Sequence, residues 1–197
     1  MENSEAEKIA DEILGLYKMY GDQDYIGEPV SQIEHMCQCA QLAEKENYDE
    51  EVILAAFFHD LGHLCEHIMP VDYMENYGIA DHEKIGSEYL KGKGFSEKIT
   101  RLIASHVAAK RYLTFKNPVY YQQLSEASKN TLNFQGGPMN DSEALDFEKE
   151  EWFNLYITLR EWDEKAKEEN ISLPDLDRYR ALMIQHLSQS KNFINEH

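Results

Sequence analysis

The chain has 197 residues, 42% hydrophobic and 11% aromatic, enough to bury one sizeable core and short for two, so residues 1–197 are expected to form a single domain. A formal charge of −18 argues against nucleic acid and against anionic membrane surfaces, because neutralising phosphates needs a surplus of Lys and Arg; a small-molecule substrate is expected. No apolar run reaches the length of a membrane span, and the opening MENSEAEKIADE is acidic where a signal peptide is basic and then apolar, so a cytoplasmic chain is expected.

Helical periodicity dominates the chain from its start. Ile9, Ile13, Leu16 and Tyr20 mark a first helix, GDQDYIGE forms a loop, and Pro29 is expected to open a second helix carrying Val30, Ile33, Cys37 and Ala40. Asp49 caps a third helix whose Val52 to Phe58 run is apolar all round, the mark of a central buried helix, and it delivers His59 and Asp60 at its end. Asp81 and Ser96 are expected caps of two further helices, with Gly94 closing the first of them. Gly136, Gly137 and Pro138 end another after Gln135. Leu145 to Glu169 reads as one long amphipathic helix, and Pro174 as the start of the last. With no β-alternation and no internal repeat, the predicted class is all-α, a helical bundle.

Chemistry concentrates in the histidines and aspartates. His59 and Asp60 are adjacent in AAFFHDLGH, where a carboxylate can bridge two ions while the imidazole holds one. His35 lies beside Cys39 and Leu42, and His82 on the side of Ile85, Gly86 and Tyr89. Ile99, Leu102, Ile103, His106 and Lys110 share one stripe, as do Tyr156, Arg160 and Asp163. Two inward cations, Lys110 and Arg160, thus accompany inward metal ligands. His67, His186 and His197 lack such company and are expected outside any site. Cys37, Cys39 and Cys65 have no paired C-x-x-C spacing and read as buried reduced thiols rather than ligands.

The series His35, His59–Asp60, His82, His106, Asp163 resembles the six-ligand dinuclear branch of the HD-domain superfamily. Over almost the whole length, DYIGE, QIEHMCQCA, LAAFFHDLGH, DHEKIGSEYLKGKGFSEK, SHVAAKRYL, LSEASKNTL, QGGPM and LREWDEK resemble the 2-amino-1-hydroxyethylphosphonate dioxygenases of the PhnZ type, relatives of the myo-inositol oxygenases. The resemblance implies a single HD-domain bundle with two irons in a mixed-valent Fe(II)/Fe(III) state. His35, His59, Asp60 and Asp163 would hold one iron, and Asp60, His82 and His106 the other. Imidazole and carboxylate would also suit manganese or zinc.

It further implies dioxygen as co-substrate and a hydroxyphosphonate that chelates the second iron through its C1 hydroxyl and a phosphonate oxygen. Oxidative C–P cleavage would give glycine and phosphate, and a partner hydroxylase would supply the substrate. Tyr25 would occupy the substrate's iron before binding, Glu28 would lie near the substrate amine, and His63 would donate to bound substrate or oxygen species. Lys110, Arg160, Ser128 and Gln135 would hold the phosphonate, Arg160 gripping two oxygens at once. The alternatives are the same reaction on the N-trimethylated analogue, and an HD-type metal-dependent phosphohydrolase.

Overall fold

The computed structural model describes residues 1–25 and 27–189, and among these it is all-α, without a named strand. Helices α1 (Asn3–Tyr20), α2 (Gln32–Lys45) and α3 (Glu50–Phe58) lead into a 3₁₀ helix, Leu61–His67. Then follow α4 (His82–Gly92), α5 (Glu97–Lys116), α6 (Pro118–Gln123), α7 (Glu126–Phe134), α8 (Asp141–Phe147), α9 (Phe153–Lys165) and α10 (Asp177–Gln189).

The apolar run on α3 makes it the axis of the bundle. Val52 and Leu54 to Phe58 are all buried, and the helix packs against α2, α5 and α10. Tyr17, Phe57 and Tyr179 stack in series at 4.4 and 4.2 Å between ring centroids, joining α1, α3 and α10 through one aromatic column. The Tyr17 hydroxyl donates to the Phe57 carbonyl at 2.6 Å, so the last turn of α3, just before the histidine and aspartate, is fixed from outside as well as within. All three cysteines are free and buried in this interior.

Caps set several of the boundaries. Asp49 accepts from the Val52 amide and Ser96 from the Ile99 amide, as expected. The second helix begins at Gln32 rather than Pro29, because Ser31 and Glu34 form a reciprocal capping box and leave Val30 outside. Asp81 precedes α4 in a left-handed conformation without capping it, its carboxylate engaged instead by Lys84 at 2.6 Å. The last helix starts at Asp177, whose amide bonds to Asp175, and not at Pro174.

The long helix expected over Leu145–Glu169 is two helices with a turn at 148–152. Glu148, Glu150 and Glu151 crowd the carbonyl end of α8, where negative charge opposes the helix dipole. The turn also lets Phe147 and Phe153 face each other at 5.6 Å, both against Tyr112, a meeting that their spacing on one straight helix would forbid. At the other end α9 stops at Lys165. The carbonyl of Ala166 is taken by the His35 ring, and Gln38 clamps the chain at Glu168 with two hydrogen bonds, 2.9 and 3.0 Å.

Candidate metal centre

Six side chains from five segments converge in the bundle interior: His35 from α2, His59 and Asp60 from the end of α3, His82 from the first turn of α4, His106 from α5 and Asp163 from α9. All are buried. The ring Nδ1 atoms of His35, His59, His106 and His82 lie 2.8, 2.9, 2.8 and 3.3 Å from the carbonyl oxygens of Ala166, Ala56, Ile103 and Ile79. A carbonyl only accepts, so each Nδ1 carries a hydrogen and each ring turns its Nε2 inward. Burial lowers the affinity of His82 and His106 for a second proton, and that of His106 falls to about 4.

These inward nitrogens meet in two places. The Nε2 atoms of His35 and His59 are 3.0 Å apart, and those of His82 and His106 are 2.9 Å apart. Two bare acceptors at that separation repel unless a cation faces both. A metal–nitrogen bond of about 2.1 Å at right angles to its neighbour puts adjacent ligands about 3.0 Å apart, so the spacing fits a pair of ligands on one ion.

Asp60 stands between the two places. Its Oδ2 lies 3.6 and 3.5 Å from the His35 and His59 nitrogens, and its Oδ1 lies 3.4 Å from each of His82 and His106. One carboxylate oxygen faces each pair, the disposition of a bridging ligand. Asp163 Oδ1 completes the first group, 3.4 Å from His35 and 4.0 Å from His59. Asp60 Oδ2 and Asp163 Oδ1 are buried without a hydrogen-bond partner, a costly state for carboxylate oxygens that a metal ion would relieve. Burial works to raise the Asp60 carboxyl, but the surrounding His59, His63, His82 and His106 outweigh it and hold the group well below the usual carboxylate range. Imidazole and carboxylate donors of this kind suit first-row transition metals.

His63 stacks on His82 with ring centroids 4.1 Å apart, and with Asp60 and His82 it makes a further set whose ligand atoms all lie within 4.8 Å. Two histidines, His63 and His106, therefore border the second position. Tyr25 stacks on His35 at 4.2 Å, and burial, aided by Asp60 and Asp163, raises its hydroxyl well above the ordinary tyrosine range. His67 stacks on Tyr20, and His186 accepts from the Ser96 amide at 3.1 Å, both away from the cluster; His197 lies outside the described residues.

A cavity of about 80 Å³ opens beside the second pair, with Tyr25, Glu28, His63, Lys110, Ser128, Gln135 and Arg160 all in its lining. Lys110 is 3% exposed and donates to the Thr131 hydroxyl at 2.9 Å, and among the described residues no carboxylate is paired to its ammonium. Burial first, and the neighbouring Arg160 second, bring its pKa down to about 7. Such a group is prepared for an anion.

Arg160 is more committed than sequence suggests. Its guanidinium contacts Asp163 and Glu164, and its Nε donates to the Tyr120 hydroxyl at 2.8 Å. Nη1 is held by Asp163, whereas Nη2, set against Glu164, is buried without a hydrogen-bond partner among the described residues, so the guanidinium brings the cavity positive charge and keeps one donor. Asp163 holds the guanidinium strongly charged against the cost of burial. Glu28 is likewise engaged, accepting from Ser125 at 2.7 Å and Lys167 at 2.9 Å. Lys167 also reaches Glu164 at 3.3 Å, so charges alternate along Glu28, Lys167, Glu164, Arg160 and Asp163, from the cavity wall to a ligand position.

Sequence reasoning missed Gln32, Thr131 and Lys167. Gln32 sits three residues before His35 on one helix face and Thr131 three after Ser128, so helical spacing from a named site residue could have found both. Lys167 lies four residues after Asp163 within the helix expected from sequence, so the same spacing could have found it, although its partner Glu28 is 139 positions away.

Comparison with known proteins agrees with this architecture. The HD domain family model matches residues 33–182. An uncharacterized protein of Acanthamoeba polyphaga mimivirus is 45% identical over 180 residues, covering 91% of this chain and 82% of the relative. The [1-hydroxy-2-(trimethylamino)ethyl]phosphonate dioxygenase (glycine-betaine-forming) of Leisingera caerulea is 38% identical over 179 residues, 91% of this chain and 90% of the relative. The hydroxymethylphosphonate dioxygenase of Gimesia maris is 36% identical over 172 residues, 85% and 84%. Among the described residues no helix is long and apolar enough to cross a membrane. With an HD-domain match over three quarters of its length and two phosphonate dioxygenases similar to it nearly end to end, the chain belongs to the HD-domain phosphonate dioxygenase family.

Proposed function

We propose that this chain, acting as one domain, is a diiron oxygenase that uses dioxygen to break the C–P bond of a small 1-hydroxyphosphonate, releasing phosphate and a carboxylic acid. With 2-amino-1-hydroxyethylphosphonate the acid is glycine, and with the N-trimethylated analogue it is the betaine. The reaction balances: the carbon that held the hydroxyl and phosphorus becomes a carboxyl, and dioxygen supplies the two oxygens added across the products. A hydroxylase that installs the C1 hydroxyl is the class of enzyme expected upstream.

The observation that carries this reading is Asp60 presenting one oxygen to each of two facing histidine pairs, beside a buried ammonium that no carboxylate among the described residues pairs with. His35, His59, Asp60 and Asp163 would hold one iron, and Asp60, His82 and His106 the other. When bound, the pair supplies dioxygen activation and Lewis acidity. The protein's own groups orient and hold the substrate: Lys110, with Thr131 and Ser128 beside it, takes the phosphonate, and Arg160 adds positive charge. Tyr25 and His63 flank the ligand positions on either side and limit what else can reach them.

The test is iron-loaded protein incubated with hydroxyphosphonates under air and under argon, with phosphate and oxygen measured together. Equimolar oxygen uptake and phosphate release support the reading. Phosphate released from a phosphate ester at the same rate without oxygen would make the chain a metal-dependent phosphohydrolase instead.

A further inference from the structure

Glu28 is the anionic side chain on the loop side of the cavity, and its charge is answered before any substrate arrives. Lys167 Nζ and Ser125 Oγ both donate to Oε1 of Glu28, and both side chains of the Glu28–Lys167 pair are largely buried, at 9% and 14% exposure. The neighbouring Glu164 does not restore a negative field there, because Arg160 meets it. Glu28, Lys167, Glu164 and Arg160 sum to zero charge, and Asp163 at the end of the run carries one further negative charge that a metal ion would answer.

Gln32 lines the cavity as well, and its Oε1 is buried without a hydrogen-bond partner among the described residues. It can accept a hydrogen bond but brings no charge. A substrate ammonium placed against Glu28 would meet the Lys167 ammonium across the same carboxylate, so repulsion from that farther cation offsets part of the attraction. The cavity facing this wall has a volume of about 80 Å³.

We propose that Lys167 is a specificity-determining residue that neutralises Glu28, so that the site favours 1-hydroxyphosphonates whose C1 substituent is small and uncharged over those bearing an ammonium. This rests on the reading of the site as a hydroxyphosphonate oxygenase. It concerns the substituent alone and leaves the phosphonate contacts as described.

Anaerobic calorimetry on iron-loaded protein gives the affinity of hydroxymethylphosphonate, 2-amino-1-hydroxyethylphosphonate and its N-trimethylated analogue without turnover, and admission of oxygen then gives phosphate release from each. Wild type is expected to bind hydroxymethylphosphonate at least as tightly as the amine. Lys167→Met should shift the ratio toward the amine by tenfold or more, while Lys167→Arg, which keeps the charge, should retain the wild-type order. Iron content and helicity by circular dichroism identify any variant that misfolds, in which case the wild-type order and the Lys167→Arg result decide.

A wild-type preference of tenfold or more for either aminated substrate overturns the proposal, as does an unchanged ratio in folded Lys167→Met. Phosphate release from at least one compound with the wrong order sinks the proposal alone. Release from none of the three, with iron present, sinks the oxygenase reading together with it.

Discussion

A Cβ on Gly62 would sit 1.9 Å from the carbonyl oxygen of His82, so the 3₁₀ helix and the start of α4 touch backbone to backbone. Gly86 extends the contact, its own added Cβ falling 3.0 Å from the Gly62 amide nitrogen. This close approach places His82 against Asp60. Gly62→Ala must push α4 outward, at a cost on the order of 1–3 kcal/mol. The variant should fold, keep the ion at His35, His59 and Asp163, and lose the other. Metal analysis is expected to give one iron per chain, and two would show that α4 tolerates the shift.

Asp60→Ala should remove both ions, since each loses a ligand and the shared negative charge, whereas His106→Ala should cost only the second. Iron per chain after anaerobic loading and desalting measures this. A single tightly held ion in the active enzyme would contradict a dinuclear site.

Lys110 should govern the pH dependence of substrate capture. Its pKa is brought down to about 7 in the metal-free protein, so it is charged below that value and loses its proton as pH rises through it, and bound metal cations act in the same downward direction. kcat/KM is therefore expected to fall on the alkaline side of about 7, while kcat changes less, because a bound dianion keeps the ammonium protonated. Lys110→Met should remove that limb and weaken binding by roughly tenfold to a hundredfold, the worth of a charge-assisted contact of about 1.5–3 kcal/mol. Substrate-free stability should hold or rise, since an unpaired buried ammonium is gone. A retained alkaline limb would assign it to another group.

Tyr17→Phe removes the hydroxyl that bonds to the Phe57 carbonyl and leaves that buried acceptor unmet. Urea denaturation of the metal-free protein should show a loss of about 1–2 kcal/mol with the slope unchanged. No change in midpoint would mean that the carbonyl finds another donor.

The metal-ligand candidates were legible because ligand chemistry uses few residue types, and the apolar stripes around His106 and Asp163 betrayed their inward direction. The central helix was legible because nothing but burial explains Val52 to Phe58. The breaks were not. Whether the chain turns at 148–152 depends on Phe147 meeting Phe153 on Tyr112, and where α9 ends depends on what His35 and Gln38 require of Ala166 and Glu168. Periodicity within one segment carries no record of such partners. The engagement of Arg160 and Glu28 was hidden for the same reason, since spacing shows that a charge points inward but not which charge answers it.

The hold of Ala166 and Glu168 on α2 sets one wall of the proposed metal centre. His35 and Asp163 come from helices already fastened to each other, so the first ion enters a socket whose walls are set. His82 comes from a helix packed on α5 and tied to it by Ser87, whose hydroxyl donates to the Thr100 carbonyl at 2.9 Å, so this wall is set too, but it would offer the second ion three protein ligands where the first has four. Occupancy should therefore be sequential, and a chelator should strip the His82 side first, leaving a chain with one ion whose fold is intact and whose substrate end is open.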